Sequence, residues 1–208
     1  MSDFGDDSTF EDTFFTVSKT SEGLYKDRSS KFFYFSYPVK NEEEIKTHLA
    51  ELRKKYFDAR HHCFAWALGK DGDHYRANDD GEPNHSAGDP ILGQIRSKNL
   101  TNILIVVVRY FGGTKLGIGG LIQAYKTSAA LAIEENEIVE EQVKTSVSIQ
   151  FSYPVMNDVM KIIKAHDLQI LSQEMTLDCQ MQLEFREGLA DKIVNSLKEI
   201  ENLELTIT

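Results

Sequence analysis

The chain has 208 residues, 41% hydrophobic and 27% charged, the balance of an ordinary soluble globular protein, and its formal net charge of −10 argues against generic nucleic-acid affinity. Its longest aliphatic run, Ile103 to Val108, is far short of the ~20 residues a membrane-spanning helix needs. The opening MSDFGDDSTFED is acidic where a secretory leader is basic and then apolar, so a cytoplasmic protein with no membrane partner is expected.

In chain order, Thr13 to Thr20 and Ser30 to Val39 are rich in aromatic and β-branched residues and predict strands. Asn41 then offers an N-cap to an amphipathic helix with three glutamates in its first turn, Ile45, Leu49, Leu52 and Tyr56 on one face, and Arg53, Lys54 and Lys55 at its end. HHCFAWALG predicts a strand that is apolar on both faces, and the long polar stretch KDGDHYRANDDGEPNHSAG after it predicts an irregular, functional segment. Asp89 and Pro90 are read as the cap and first turn of a short helix ending near Lys98. ILIVVVRYF predicts a strand in the interior of a sheet, and the glycine-rich GGTKLGIGG opens a helix to about Asn136. The charged EENEIVEEQ closes this half.

The pattern then restarts: strand Thr145–Tyr153, helix Pro154–His166, strands Leu168–Met175 and Leu177–Phe185, helix Leu189–Ile200 and strand Leu203–Thr208. This β-α-β-β-α-β order is that of a ferredoxin-like domain. An α+β protein with domains at 1–141 and 142–208 is expected.

Three features carry candidate chemistry. From Pro90 through Ile133 there is no Asp or Glu, while Arg96, Lys98, Arg109, Lys115 and Lys126 are cationic, so an acidic protein has one locally basic segment that could attract anions. Within it, a strand, five glycines and a helix start suggest a phosphate cradle. The spacing meets neither the P-loop, because Leu116 follows Lys115, nor the dinucleotide fingerprint, because Ile122 stands at the third-glycine position. The same glycines serve equally for positive φ and close packing. In the second feature, Asp79, Asp80 and Glu82 with the nearby histidines could bind a hard cation or act as acid and base, yet Asp-Gly-Glu-Pro is also ordinary turn chemistry. In the third, strand alternation sends His61 and Cys63 to one face and His62 to the other, so the three do not converge on zinc. Cys63 and Cys179 have no companion at redox or metal spacing and read as reduced thiols. No cofactor and no metal are expected.

As a set, ARHHCFAWALG, DDGEP, SAGDPIL and VVVRYFGGTKLGIGGLIQAY resemble the IMPACT/YigZ family over roughly residues 13 to 135. The matching positions are His61, Asp80, Gly81, Glu82, Ala87, Gly88, Arg109, Tyr110, Gly112, Gly113, Leu116, Gly117, Gly119 and Gly120. Asn84-His85-Ser86 departs from the pattern, and Lys115 is not a signature position. The resemblance implies a first domain with the left-handed βαβ fold of the second domain of a small-subunit ribosomal protein. It implies a second that resembles a domain of elongation factor G, and a role in regulating translation. Two functional readings follow. In one, a binding module contacts RNA, the ribosome or a translation factor through Arg96, Lys98, Arg109, Lys115 and the glycines, with Tyr110 or Phe111 stacking. In the other, an enzyme or small-anion binder uses His61, Asp80 and Glu82 beside the glycine loop.

Overall fold

A computed structural model describes residues 12–176 and 178–207. Most of the acidic opening segment, and the ends of two predicted strands at Leu177 and Thr208, lie outside the described residues. The chain packs into two compact units, Phe14–Glu141 and Gln142–Thr208, the latter taking in the described residues ahead of Phe14.

The first unit is built on a five-stranded sheet of order β2-β3-β6-β4-β5, comprising β2 (Ser21–Asp27), β3 (Ser30–Pro38), β4 (His61–Leu68), β5 (His74–Asn78) and β6 (Ile103–Tyr110). All its neighbours are antiparallel. The unbroken hydrophobic run of β6 follows from coverage on both faces, because period-2 alternation sends successive side chains to opposite sides. Ile103, Ile105 and Val107 join one core with Ile91, Ile95, Ala124 and Tyr125 from α2 (Gly88–Ser97) and α3 (Gly117–Glu134). Leu104, Val106 and Val108 join another with Ile45 and Leu52 of α1 (Glu42–Lys55). Asn41 caps α1 as its sequence predicts, its side chain accepting from Glu43 N and Glu44 N at 3.1 and 3.0 Å.

Three strands are not legible in the periodicity. β2 and β5 are edge strands with mostly half-buried or exposed side chains, and β7 (Ile138–Gln142), inside the charged patch, pairs with β1 (Thr13–Val17) as a separate two-stranded ribbon. Edge strands need bury only part of one face, so their composition stays polar. β5 also occupies part of the stretch expected to be irregular.

In the second unit the elements follow the order β8 (Lys144–Phe151), α4 (Met156–Ala165), β9 (Gln169–Met175), β10 (Cys179–Arg186), α5 (Ala190–Lys198) and β11 (Leu203–Ile207), with sheet order β11-β8-β10-β9. Val147, Ile149 and Phe151 alternate inward to meet Val159, Ile163, Ile193 and Leu197 of the helices. Ser148, Gln150, Gln180 and Gln182 line a shallow groove together with Glu174 and Glu204. At the start of this unit the buried Asp12 carboxylate accepts from Arg186 Nε at 2.8 Å through both oxygens, and this guanidinium holds its carboxyl below the usual carboxylate range.

Candidate functional site

The loop between β5 and α2 carries Asp79, Asp80, Gly81 and Glu82, and each carboxylate has a separate partner. Asp79 Oδ1 accepts from Ala87 N at 2.9 Å and Gly88 N at 2.8 Å, and its Oδ2 accepts from His85 N at 2.8 Å. It is therefore Asp79, from across the loop, that satisfies amides at the start of α2, not Asp89 as the sequence suggests. Asp89 lies inside the first turn, where its carboxylate meets His85 Nδ1 at 2.6 Å. The half-buried Asp80 accepts from Arg53 at 2.9 Å and from His62 N at 2.6 Å. Burial pushes its pKa up, but the Arg53 guanidinium and the His62 amide outweigh burial and hold the carboxyl below its ordinary value.

Glu82 is buried. Its Oε1 accepts from Arg109 Nη1 at 2.7 Å and from the Tyr125 hydroxyl at 2.8 Å, and the two ion-paired side chains are 4% and 7% exposed. Cys63 Sγ lies 3.3 Å from the same hydroxyl. Burial pushes both the Cys63 thiol and the Tyr125 phenol upward, so both stay protonated, and the buried charges of this string are those of Glu82 and Arg109. A thiol held in that form is no nucleophile. Among the described residues no three His, Cys, Asp or Glu side chains converge in a way that could hold a metal ion. The three carboxylates of this loop are instead committed to a helix start, an arginine of α1 and an arginine of β6.

The glycine loop turns the chain from β6 into α3. Gly112 is held where a Cβ would come within 2.0 Å of Ser29 C and 2.2 Å of Ser30 N, so the hairpin joining β2 to β3 seats directly on its backbone. Gly117, at φ +73, makes the left-handed step into α3. Gly113 and Gly119 are exposed, Gly120 is half-buried, and Lys115 is exposed. Among the described residues no side chain caps the start of α3.

Register decides which of the sequence-predicted cations meet. Arg96 lies over the Tyr75 ring at 4.1 Å, and Tyr75 pairs with Ala67, which pairs with Ile103 at the start of β6. Lys98 follows two residues on. Arg109 and Tyr110 are at the other end of β6, roughly 20 to 23 Å away at ~3.3 Å per residue, and Lys115 follows in the glycine loop. The basic segment is thus divided between two ends of the sheet. Arg109 is 7% exposed and paired with Glu82, so only an edge of it reaches a surface.

What gathers at the β6 C-terminal end comes from other segments. Lys31 pairs with Tyr110 and His61 pairs with Arg109 across the sheet. The Gly112 contact brings in the hairpin tip, with the exposed Arg28, and the turn before β4 brings in the exposed Phe57 and Arg60. Phe111 is 58% exposed and Phe57 84%. Two adjoining clefts share Asp58, Tyr110 and Phe111. One, of 460 Å³, adds Arg60, His61 and Arg109, and the other, of 360 Å³, adds Ser29, Lys31, Phe33 and Tyr56. Tyr110 donates to Asp58 Oδ1 at 2.6 Å, and this bond is the main reason its phenol is pushed up to about 12. His61 Nδ1 lies 2.9 Å from the Asp80 carbonyl. A carbonyl only accepts, so Nδ1 is the donor in this contact. Lys31, Phe57 and Arg60 are the residues a linear reading overlooks. The one available signal was Phe57, an aromatic placed just beyond a basic helix end.

Residues 28–133 match the family described as the Impact N-terminal domain. The IMPACT family member YvyE of Bacillus subtilis (strain 168) is 29% identical over 90% of this chain and 84% of its own length. An IMPACT family member of Haemophilus influenzae is 31% identical over 86% of this chain and 88% of its own. The Saccharomyces cerevisiae Protein IMPACT homolog is 34% identical over 47% of this chain, which spans 39% of that protein. A solved structure described as that of an hypothetical protein shares the fold, with a TM-score of 0.74 over 95% of this chain and 98% of its own at 24% identity. No helix among the described residues is long and apolar enough to cross a membrane. By the match of its first unit and the near full-length similarity to these relatives, the chain belongs to the IMPACT family.

Proposed function

We propose that this protein is a cytoplasmic, translation-related regulator that contacts RNA, on or off the ribosome, through the β6 C-terminal end of its first unit. The observation that carries the reading is the exposed Phe57 and Phe111 interleaved with the exposed Arg28, Lys31, Arg60 and Lys115, on a molecule whose net charge is −10. Cations displace counterions from phosphates, and an exposed ring gives any unpaired base a stacking partner. Arg96 and Lys98, at the opposite end of the sheet, belong to no part of this surface. In the second unit, Glu174 and Glu204 line the groove of its sheet and repel phosphate, while the first-unit clefts set one acid, Asp58, against Arg60 and Lys31. The family resemblance, which implies a ribosomal-protein-like first half and a second half like a domain of elongation factor G, supports the same reading.

The alternative, acid–base chemistry by His61, Asp80 and Glu82, has less support, because both carboxylates are taken by arginines. Co-sedimentation with ribosomal subunits and with structured RNA tests the proposal. Binding is expected at low salt and lost as salt rises, and the Lys31→Gln/Arg60→Gln/Lys115→Gln variant is expected to lower the slope of log affinity against log salt by about 2 to 3. Absence of binding at low salt would overturn it.

A further inference from the structure

The 460 Å³ cleft beside Phe111 is within the ~300–1,000 Å³ range of small-molecule sites, and its lining differs from that of a general phosphate-tracking surface. A surface that tracks the nucleic-acid backbone needs only mobile cations. Here one cation is fixed. Arg109 is 7% exposed, its Nη1 donates to Glu82 at 2.7 Å, and its Nε, itself enclosed, has no partner among the described residues. Its guanidinium lies 5.5 Å from the Phe32 ring centre and 5.8 Å from that of Phe111, so the ring that faces solvent on one side rests on a cation on the other. The exposed Arg60 supplies a second guanidinium to the same cleft. Asp58, the acid among the lining residues, is held by the Tyr110 hydroxyl. The His61 ring also lines the cleft, its Nδ1 donating to the Asp80 carbonyl.

A ligand that satisfies this lining has an anionic group for guanidinium, a flat ring for Phe111 and a polar group for the His61 ring edge. Phosphate alone and an aliphatic carboxylate both lack the ring. We infer that this cleft is a subsite for one nucleoside monophosphate unit, whether free or as an unpaired residue of an RNA strand, with its phosphate at Arg60 and Arg109 and its base against Phe111. The inference rests on the RNA-contact reading above and names the ligand of that surface. Guanidinium–phosphate pairing and base–aromatic stacking are the interactions it uses.

The test is titration of the intact protein with AMP, adenosine, inorganic phosphate and a short unstructured RNA, read by two-dimensional NMR and by calorimetry. AMP is expected to bind saturably, with a Kd on the order of 1 mM or tighter, and to shift the Arg60, His61 and Phe111 signals. Phosphate and adenosine are each expected to bind at least about tenfold more weakly, because each makes only part of the contacts. Phe111→Ala and Arg60→Gln, both changes at exposed positions, are each expected to weaken AMP about tenfold while the rest of the spectrum stays that of the folded protein. A ratio of AMP to RNA affinity that is unchanged in Phe111→Ala identifies the strand as the source of the unit, with AMP as its fragment. An AMP affinity exceeding that of the RNA identifies the free nucleotide. If the RNA binds but AMP does not, or if phosphate binds as well as AMP, the subsite is overturned while the RNA-contact reading stands. If neither AMP nor RNA binds, both fall.

Discussion

The two loops that hold most of the motif residues are opposites in what they do with their polar groups. Between β5 and α2, Asp79, Asp80 and Glu82 all point back into the fold, to a helix start, to Arg53 and to Arg109. Between β6 and α3, the glycines leave side chains out of the way, and the groups around them, Phe111, Lys115 and the neighbouring Arg60, face solvent. The first loop is a lock and the second borders a surface. A family motif therefore marks two kinds of necessity, and burial of the partner atoms tells them apart.

The difference can be broken most forcefully at Glu82. Glu82→Ala leaves the Arg109 guanidinium buried without its carboxylate, so equilibrium denaturation should show a loss of about 3–5 kcal/mol. Gly112→Ala places a methyl group inside the backbone of the β2–β3 hairpin. Relief requires the hairpin to move, at a cost of about 3 kcal/mol, and the displacement should also disturb the Lys31 and Phe111 signals. Asp79→Ala removes an acceptor from the start of α2 and should cost about 1–2 kcal/mol by thermal or chemical melting, with little effect on RNA binding. Phe111→Ala should sharpen the contrast from the other side, with stability within about 0.5 kcal/mol of the parent and RNA affinity several-fold lower.

The smallest effect is the acid response of Asp80. Its folded pKa is depressed, so the stability it contributes is present above the unfolded value of about 3.9 and is lost as pH falls through the folded one. Asp80→Asn should therefore be less stable than the parent at neutral pH and lose less on acidification below about pH 4. Denaturation midpoints measured from pH 7 down to pH 2.5 read this directly.

What was legible in the sequence was local. The Asn41 cap, the amphipathic face of α1 and the apolar run of β6 depend on residues within a turn or a strand of one another. So do the alternating strands and helices of the second unit. β5, HYRAN, carried no alternation because its edge position asks for little burial. The partners of the DDGE loop could not be read because they lie far along the chain, with Glu82 meeting Arg109 and Tyr125 27 and 43 residues away. The basic stretch from Pro90 to Ile133 looked continuous in sequence, yet β6 separates its two halves by its own length. The cations that do cluster at the exposed end come from β3, the turn before β4 and the glycine loop, and only strand register joins them.

The central claim is that the β6 C-terminal end meets RNA while the acidic loop behind it holds the fold together. The most direct measurement is the salt dependence of affinity for a short unstructured RNA, by fluorescence anisotropy, for the parent and for Lys31→Gln/Arg60→Gln/Lys115→Gln. The account predicts a steep slope in the parent, reduced by about 2 units in the variant at about 0.7 per contact, with unchanged melting behaviour. An identical slope in both proteins would contradict it.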